Sequence, residues 1–182
     1  KTLMQNVIGG KGKVVVADAD LSDISIDYLL ALAGVQQTPF IIHNQWKPQI
    51  EDAWSVYNYR GNTPKQLVKD LEQHIAEGGK PFVCLSAQKL ASQWGTCTLE
   101  TYLKTQFPEK KVLRIDSESL ADPTHPAYGC IPQINQVLKN YDIVLASPCI
   151  ETGVSIDITE HFTSVWGIAQ GIQAENSVRQ AL

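Results

Sequence analysis

From Arg60-Gly61-Asn62 onward the chain alternates short apolar runs with stretches of helical spacing, and this alternation constrains the fold more than any other feature. Strands are expected at residues 81–85, 111–115, 141–146 and 164–168. Between them, Thr63 caps a helix begun by Pro64, with Leu67, Val68, Leu71 and Ile75 on its apolar face and Gly78-Gly79 at its end. Further helices are expected around residues 88–105 and 131–139, and a last one opens at 174–177. The expected fold is a three-layer α/β domain, a mainly parallel sheet with helices on both faces.

The first third is less regular. Val14-Val15-Val16-Ala17 reads as a short buried strand ending in Asp18-Ala19-Asp20, and residues 24–33 carry Ile26, Leu29, Leu30 and Ala33 at helical spacing before a stop at Gly34. Residues 39–43 read as another strand. Pro48 interrupts the chain after it, and residues 53–59 alternate in the manner of a short edge strand. The division is therefore 1–59, a strand, a helix and a connecting segment, and 60–182, the βα series. A start at Lys1 without an initiator Met, and a finish at Ala181-Leu182 within a helical pattern, are those of a segment excised from a longer protein.

Hydrophobic residues make up 43% and charged residues 19% of the 182, a balance that folds. A net charge of −4 excludes a protein that grips nucleic acid mainly through a broad basic face, so any such contact is local. No apolar run reaches the length of a membrane span, the start has no signal-peptide segment, and a cytoplasmic protein without membrane partners is expected. Cys84, Cys97, Cys130 and Cys149 are widely spaced, which suits buried thiols and not a zinc or redox motif.

Ligands of parallel α/β sheets gather beyond the carboxyl ends of the strands. Four segments lie there: 18–20, 86–89, 116–119 and 146–157. Residues 116–129, with Pro123 and Pro126, form the longest irregular stretch of this half. The run 146–157 joins a strand to a hydroxyl-rich turn containing Gly153, so backbone N–H groups and short side chains can approach a phosphate or ribose. On the residues alone, the same run also fits ordinary turn chemistry.

Ser147-Pro148-Cys149-Ile150-Glu151-Thr152-Gly153-Val154-Ser155-Ile156-Asp157 resembles motif V of superfamily 2 helicases, especially the DEAH-box and herpesvirus origin-binding forms, with Gly where those have Ser after Glu-Thr. Ser177-Val178-Arg179-Gln180-Ala181-Leu182 is similar to the opening of motif VI, cut before its arginines. Residues 82–86 with Gln88-Lys89 resemble motif IV, and residues 18–22 resemble motif III of origin-binding helicases. Over most of the chain, including 114–119 and 122–129, the resemblance is to the helicase module of cyanobacterial plasmid replication proteins.

The resemblance implies a second RecA-like domain, of the P-loop NTPase helicase class, in an ATP-dependent DNA helicase. It implies nucleic-acid contacts from Ser86, Lys89, Ser147, Thr152 and Arg179. Gly153, Ser155, Asp157 and Gln180 would face ATP, while Asp18, Asp20 and Ser22 would couple the two domains. Partners are single-stranded or origin DNA and the first RecA-like domain of the same polypeptide. Hydroxyl contacts to phosphates need no basic surface, so the acidic pI is no obstacle.

Gly9-Gly10-Lys11-Gly12-Lys13 lacks the P-loop pattern and precedes a strand-like run. ATP and Mg²⁺ are therefore expected only with the first domain, none bound to the isolated chain, and no metal or catalytic residue is assigned in it. Two other readings remain open. Residues 14–22 match the strand-DxD start of haloacid dehalogenase-type phosphohydrolases, with Asp18 as nucleophile, Asp20 as acid/base and Ser86 as phosphate ligand. Alternatively the chain is a non-catalytic replication docking module presenting Trp54, Tyr57 and Tyr59.

Overall fold

The computed structural model describes residues 2–9, 12–17, 21–34, 38–47, 49, 54–87, 93–147 and 154–169. The chain forms two units, Lys1–Val56 and Tyr57–Leu182.

In the first unit, helix α1 (Thr2–Gly9) lies against α2 (Asp23–Ala33). The expected helix at 24–33 is present as α2. Gly34 ends it in the left-handed conformation (φ 68°) and its N–H returns to the Leu30 carbonyl, the helix stop that a residue without Cβ permits. The strands expected at 14–17, 39–43 and 53–59 do not form, since the described residues among them carry no strand pairing. Val15, Phe40, Ile42, Trp54 and Val56 are each at least 76% exposed. β-branched and aromatic residues favour strands only where a neighbouring strand and a covered face reward them, and the described residues of this unit provide neither.

The second unit contains the layered core. Helix α3 (Lys65–Ala76) precedes β1 (Pro81–Leu85), α4 (Thr96–Gln106), β2 (Val112–Ile115) and a short α5 (Ser117–Ala121). A 3-10 turn (Ile131–Gln133), α6 (Ile134–Val137) and a second 3-10 turn (Leu138–Asn140) lead to β3 (Ile143–Ala146), and β4 (Ser164–Ile168) comes next. The four strands make one all-parallel sheet in the order β2-β3-β1-β4.

Alternate strand residues feed two cores. Val83, Leu85, Val112, Ile143, Leu145 and Ile168 meet Leu67, Val68, Leu71 and Ile75 of α3 and Leu99 and Leu103 of α4 on one face. Phe82, Leu113, Ile115, Val144 and Ala146 meet Ile134 and Leu138 on the other, where Val154, Ile156, Ile158 and Phe162 also pack. Helices thus cover both faces, and the fold is a three-layer α/β sandwich.

Local differences from the sequence expectations have simple causes. α3 begins at Lys65 with Pro64 in the cap position and no side-chain cap bond, so Thr63 is not the cap. The segment 131–139 is three short helical pieces in place of one continuous helix. The loop 116–129 begins with a helical turn, α5. Its Asp116 carboxylate accepts the Ser119 N–H (2.8 Å) and the Ser119 hydroxyl accepts the Asp116 N–H (2.8 Å), a reciprocal cap. The helix expected from 174 lies outside the described residues.

The end of α3 is tied to β4 through His74, whose Nε2 lies 2.9 Å from the Thr163 hydroxyl and 2.8 Å from that of Ser164. A Cβ on Gly79 would fall 2.2 Å from the same nitrogen, with two further ring atoms within 2.5 Å. Gly79→Ala is therefore expected to displace the imidazole and cost about 1–3 kcal/mol, the scale of an overpacked site that also loses hydrogen bonds. The midpoint of urea unfolding measures it. No change would mean that the ring relaxes without losing its partners.

Candidate functional site at the carboxyl ends of the strands

The carboxyl ends of the strands carry the polar residues. β1 and β3 are neighbours, with Cys84 opposite Ala146, so the chain leaves both strands side by side at Ser86 and Ser147. The Ser86 N–H donates to the Ile168 carbonyl (3.1 Å) and the Ser147 N–H to that of Ile115 (2.9 Å), each extending a sheet ladder past its last strand residue. Ser86 is half-buried and Ser147 only 6% exposed. Such burial suits Ser147 to securing the end of β3 more than to meeting a ligand from solvent.

From Val154 onward the described chain packs against the α6 face of the sheet. Val154, Ile156 and Ile158 face the core, and the alternation leaves Ser155 and Asp157 exposed. The Ser155 hydroxyl donates to Asp157 Oδ1 (2.7 Å). Asn135, in the first turn of α6, brackets the pair: its Oδ1 accepts the Asp157 N–H (2.9 Å) and its Nδ2 donates to the Ser155 carbonyl (3.1 Å). Sequence reasoning did not single out Asn135, because nothing local to it signals a partner 20 residues away.

A second polar group, built on the 116–119 segment that the sequence places beyond a strand, closes the β2 end. Arg114 donates through Nε to Glu100 Oε2 (2.8 Å) and through Nη1 to Asp116 Oδ2 (2.6 Å). Asp116 is fully buried and also accepts the Thr96 hydroxyl at 2.6 Å. His125 Nε2 lies 3.8 Å from Glu100 Oε1. Burial alone would push the Asp116 carboxyl up, but the Ser119 N–H, the Thr96 hydroxyl and the Arg114 guanidinium outweigh it and hold it below the ordinary carboxylate range. Burial pushes the Cys97 thiol up, with Asp116 and Glu118 adding to it against the opposing pull of Arg114. Arg114 is occupied by carboxylates, so this group holds elements together and offers no spare cation to a phosphate. Asp116 had a sequence signal, an Asp three residues before a Ser at the end of an apolar run, but its buried partners had none.

Of the other sequence-predicted residues, Ser22 occupies the N-cap position of α2 without a side-chain cap bond, its hydroxyl 3.3 Å from that of Ser25. Asp18, Asp20, Lys89, Thr152, Gly153, Arg179 and Gln180 lie outside the described residues. Among the described residues, no group of three or more His, Cys, Asp or Glu is placed to hold a metal ion, and no helix is long and apolar enough to cross a membrane. Cys97 and Cys130 are buried, as expected, and Cys84 is half-buried.

Sheet, layers and polar strand ends together define a parallel three-layer α/β protein. In sequence the chain is similar to an uncharacterized protein of the cyanobacterium Picosynechococcus sp., 48% identical over 172 residues, which are 94% of the chain but 17% of that protein. The chain therefore spans under a fifth of the length of the curated relative it matches. No protein-family model and no solved structure matches it.

Proposed function

We propose that the chain is the second RecA-like domain of a superfamily 2, ATP-dependent DNA helicase within a plasmid replication protein. The observation that carries this reading is the adjacency of β1 and β3, with Cys84 opposite Ala146. Ser86, in the segment that resembles motif IV, and Ser147, where the run that resembles motif V begins, thus lie side by side at the carboxyl end of the sheet, which supports the reading because two segments that grip one nucleic-acid strand have to be close together. The long, hydroxyl-rich connection from β3 and the exposed Ser155–Asp157 pair fit the same scheme.

In this reading Ser86, Lys89, Thr152 and Arg179 contact the tracking strand and Ser147 fixes the base of the gripping turn. Gly153, Ser155, Asp157 and Gln180 face ATP held by the first RecA-like domain, which also supplies the Mg²⁺ site, the whole working in the cytoplasm. Asp18, Asp20 and Ser22 couple the domains, and the exposed apolar segments of residues 1–59 turn towards the first one. The phosphohydrolase reading gains nothing from the described residues, since 14–17 pair with no strand and Val15 is 90% exposed.

The test is made in a polypeptide extended to include the first domain, because the chain without it is expected to release no phosphate from ATP. A residue facing the cleft contributes mostly in the closed, nucleotide-bound state. Asp157→Ala is therefore expected to lower kcat or raise the ATP requirement about ten- to a hundredfold, the loss of a charge-assisted hydrogen bond, with DNA binding in the absence of nucleotide unchanged. Ser147→Ala is expected to weaken strand affinity and unwinding more than basal ATPase. Basal ATPase, DNA-stimulated ATPase and strand affinity are measured in parallel at one salt concentration. If neither substitution moves any of the three, the turn after β3 is ordinary turn chemistry.

A further inference from the structure

Residues 154–159 belong to no helix or strand, so the backbone that carries Ser155 and Asp157 needs an outside partner to hold its shape. Asn135 is that partner. One planar amide accepts the Asp157 N–H and donates to the Ser155 carbonyl, fixing two backbone groups two residues apart as a neighbouring strand would. Asn135 is in turn anchored by Ile134, which is 4% exposed in the core beneath it. With Val154, Ile156 and Ile158 pinned below, the side chains of Ser155 and Asp157 are left outward and bonded to each other.

We infer that Asn135 is a positioning residue that sets Ser155 and Asp157 towards the nucleotide, an inference that rests on the helicase reading above. The chemistry demands asparagine. Alanine supplies neither bond, aspartate cannot donate to the Ser155 carbonyl, and glutamine is one methylene too long to keep both distances. Asn135 itself touches no nucleotide in this scheme and acts only through the segment it holds.

Two measurements test it. Amide hydrogen exchange on the 182-residue chain reads the bracket directly. Asn135→Ala is expected to speed exchange at the Asp157 N–H about tenfold or more, whereas Asn135→Asp, which keeps an acceptor for that N–H, leaves most of its protection. In the polypeptide with the first domain, Asn135→Ala is expected to raise the KM for ATP about five- to tenfold, the scale of one net hydrogen bond, with DNA affinity in the absence of nucleotide unchanged. Loss of a purely structural residue would weaken ATP use and DNA affinity together. Unaltered exchange at Asp157 overturns the inference, as does an unaltered KM in Asn135→Ala where Asp157→Ala raises it, and the helicase reading then survives. If Asn135→Ala and Asp157→Ala both leave the KM for ATP unchanged, the nucleotide-side assignment itself falls and takes the inference with it.

Discussion

Asp116→Ala is expected to destabilise the chain by about 3 kcal/mol or more, near the lower end of what removing one partner of a buried ion pair costs. Asp116 is fully buried and accepts from Arg114, Thr96 and the Ser119 N–H. Its loss takes the fully buried partner from the Arg114 guanidinium, 13% exposed, which among the described residues keeps only Glu100 within 2.8 Å, and leaves the first turn of α5 without its cap. Domains of this size are typically stable by about 5–15 kcal/mol, so a large share would be gone.

The same group gives the effect a pH dependence. Its carboxyl is held below the ordinary value in the folded state, so it contributes stability above the unfolded pKa of about 3.9 and loses that contribution as pH falls through the lower folded value. The gap between the native chain and Asp116→Ala should be widest at neutral pH and narrow steadily below about pH 4. Urea titrations at a series of pH values measure this. A gap that stays constant with pH would mean that the charge of Asp116 contributes nothing beyond its packing.

Leu145→Ala is expected to cost about 2–5 kcal/mol, the range for emptying a fully buried leucine site. Leu145 lies on β3, between β1 and β2, with no solvent exposure, and it faces the core shared with α3 and α4. The surrounding residues, among them Val83, Leu85 and Ile143, sit on strands tied by sheet hydrogen bonds and cannot collapse far into the space. Leu145→Met, which nearly conserves volume, should cost less than about 1.5 kcal/mol. Val15→Ala, at a residue 90% exposed, should stay within about 0.5 kcal/mol. A fall in the unfolding midpoint equal for Leu145→Ala and Val15→Ala would contradict the placement of the core in this sheet.

The βα alternation after Arg60, and with it the parallel three-layer architecture, was legible from residue pattern alone. β1 and β4 lie where the apolar runs put them, and β2 and β3 begin one or two residues later. Leu67, Val68, Leu71 and Ile75 are the buried face of α3, as their spacing requires. These features are local: side-chain period and punctuation by Gly and Pro determine them before any distant contact forms. The same logic failed at 14–17 and 39–43, where strand propensity was read correctly but pairing, a property of two segments, was absent among the described residues.

Tertiary structure alone decided the rest. Strand order set the strand ends at Ser86 and Ser147 side by side, although 61 residues separate them in the chain. It also brought Asn135 to the 155–157 segment, and Thr96, Glu100 and Arg114 to Asp116. A buried carboxylate or an unpaired peptide group must find its partners wherever the packed sheet and helices deliver them. Those partners are fixed by geometry in space, which sequence period does not encode.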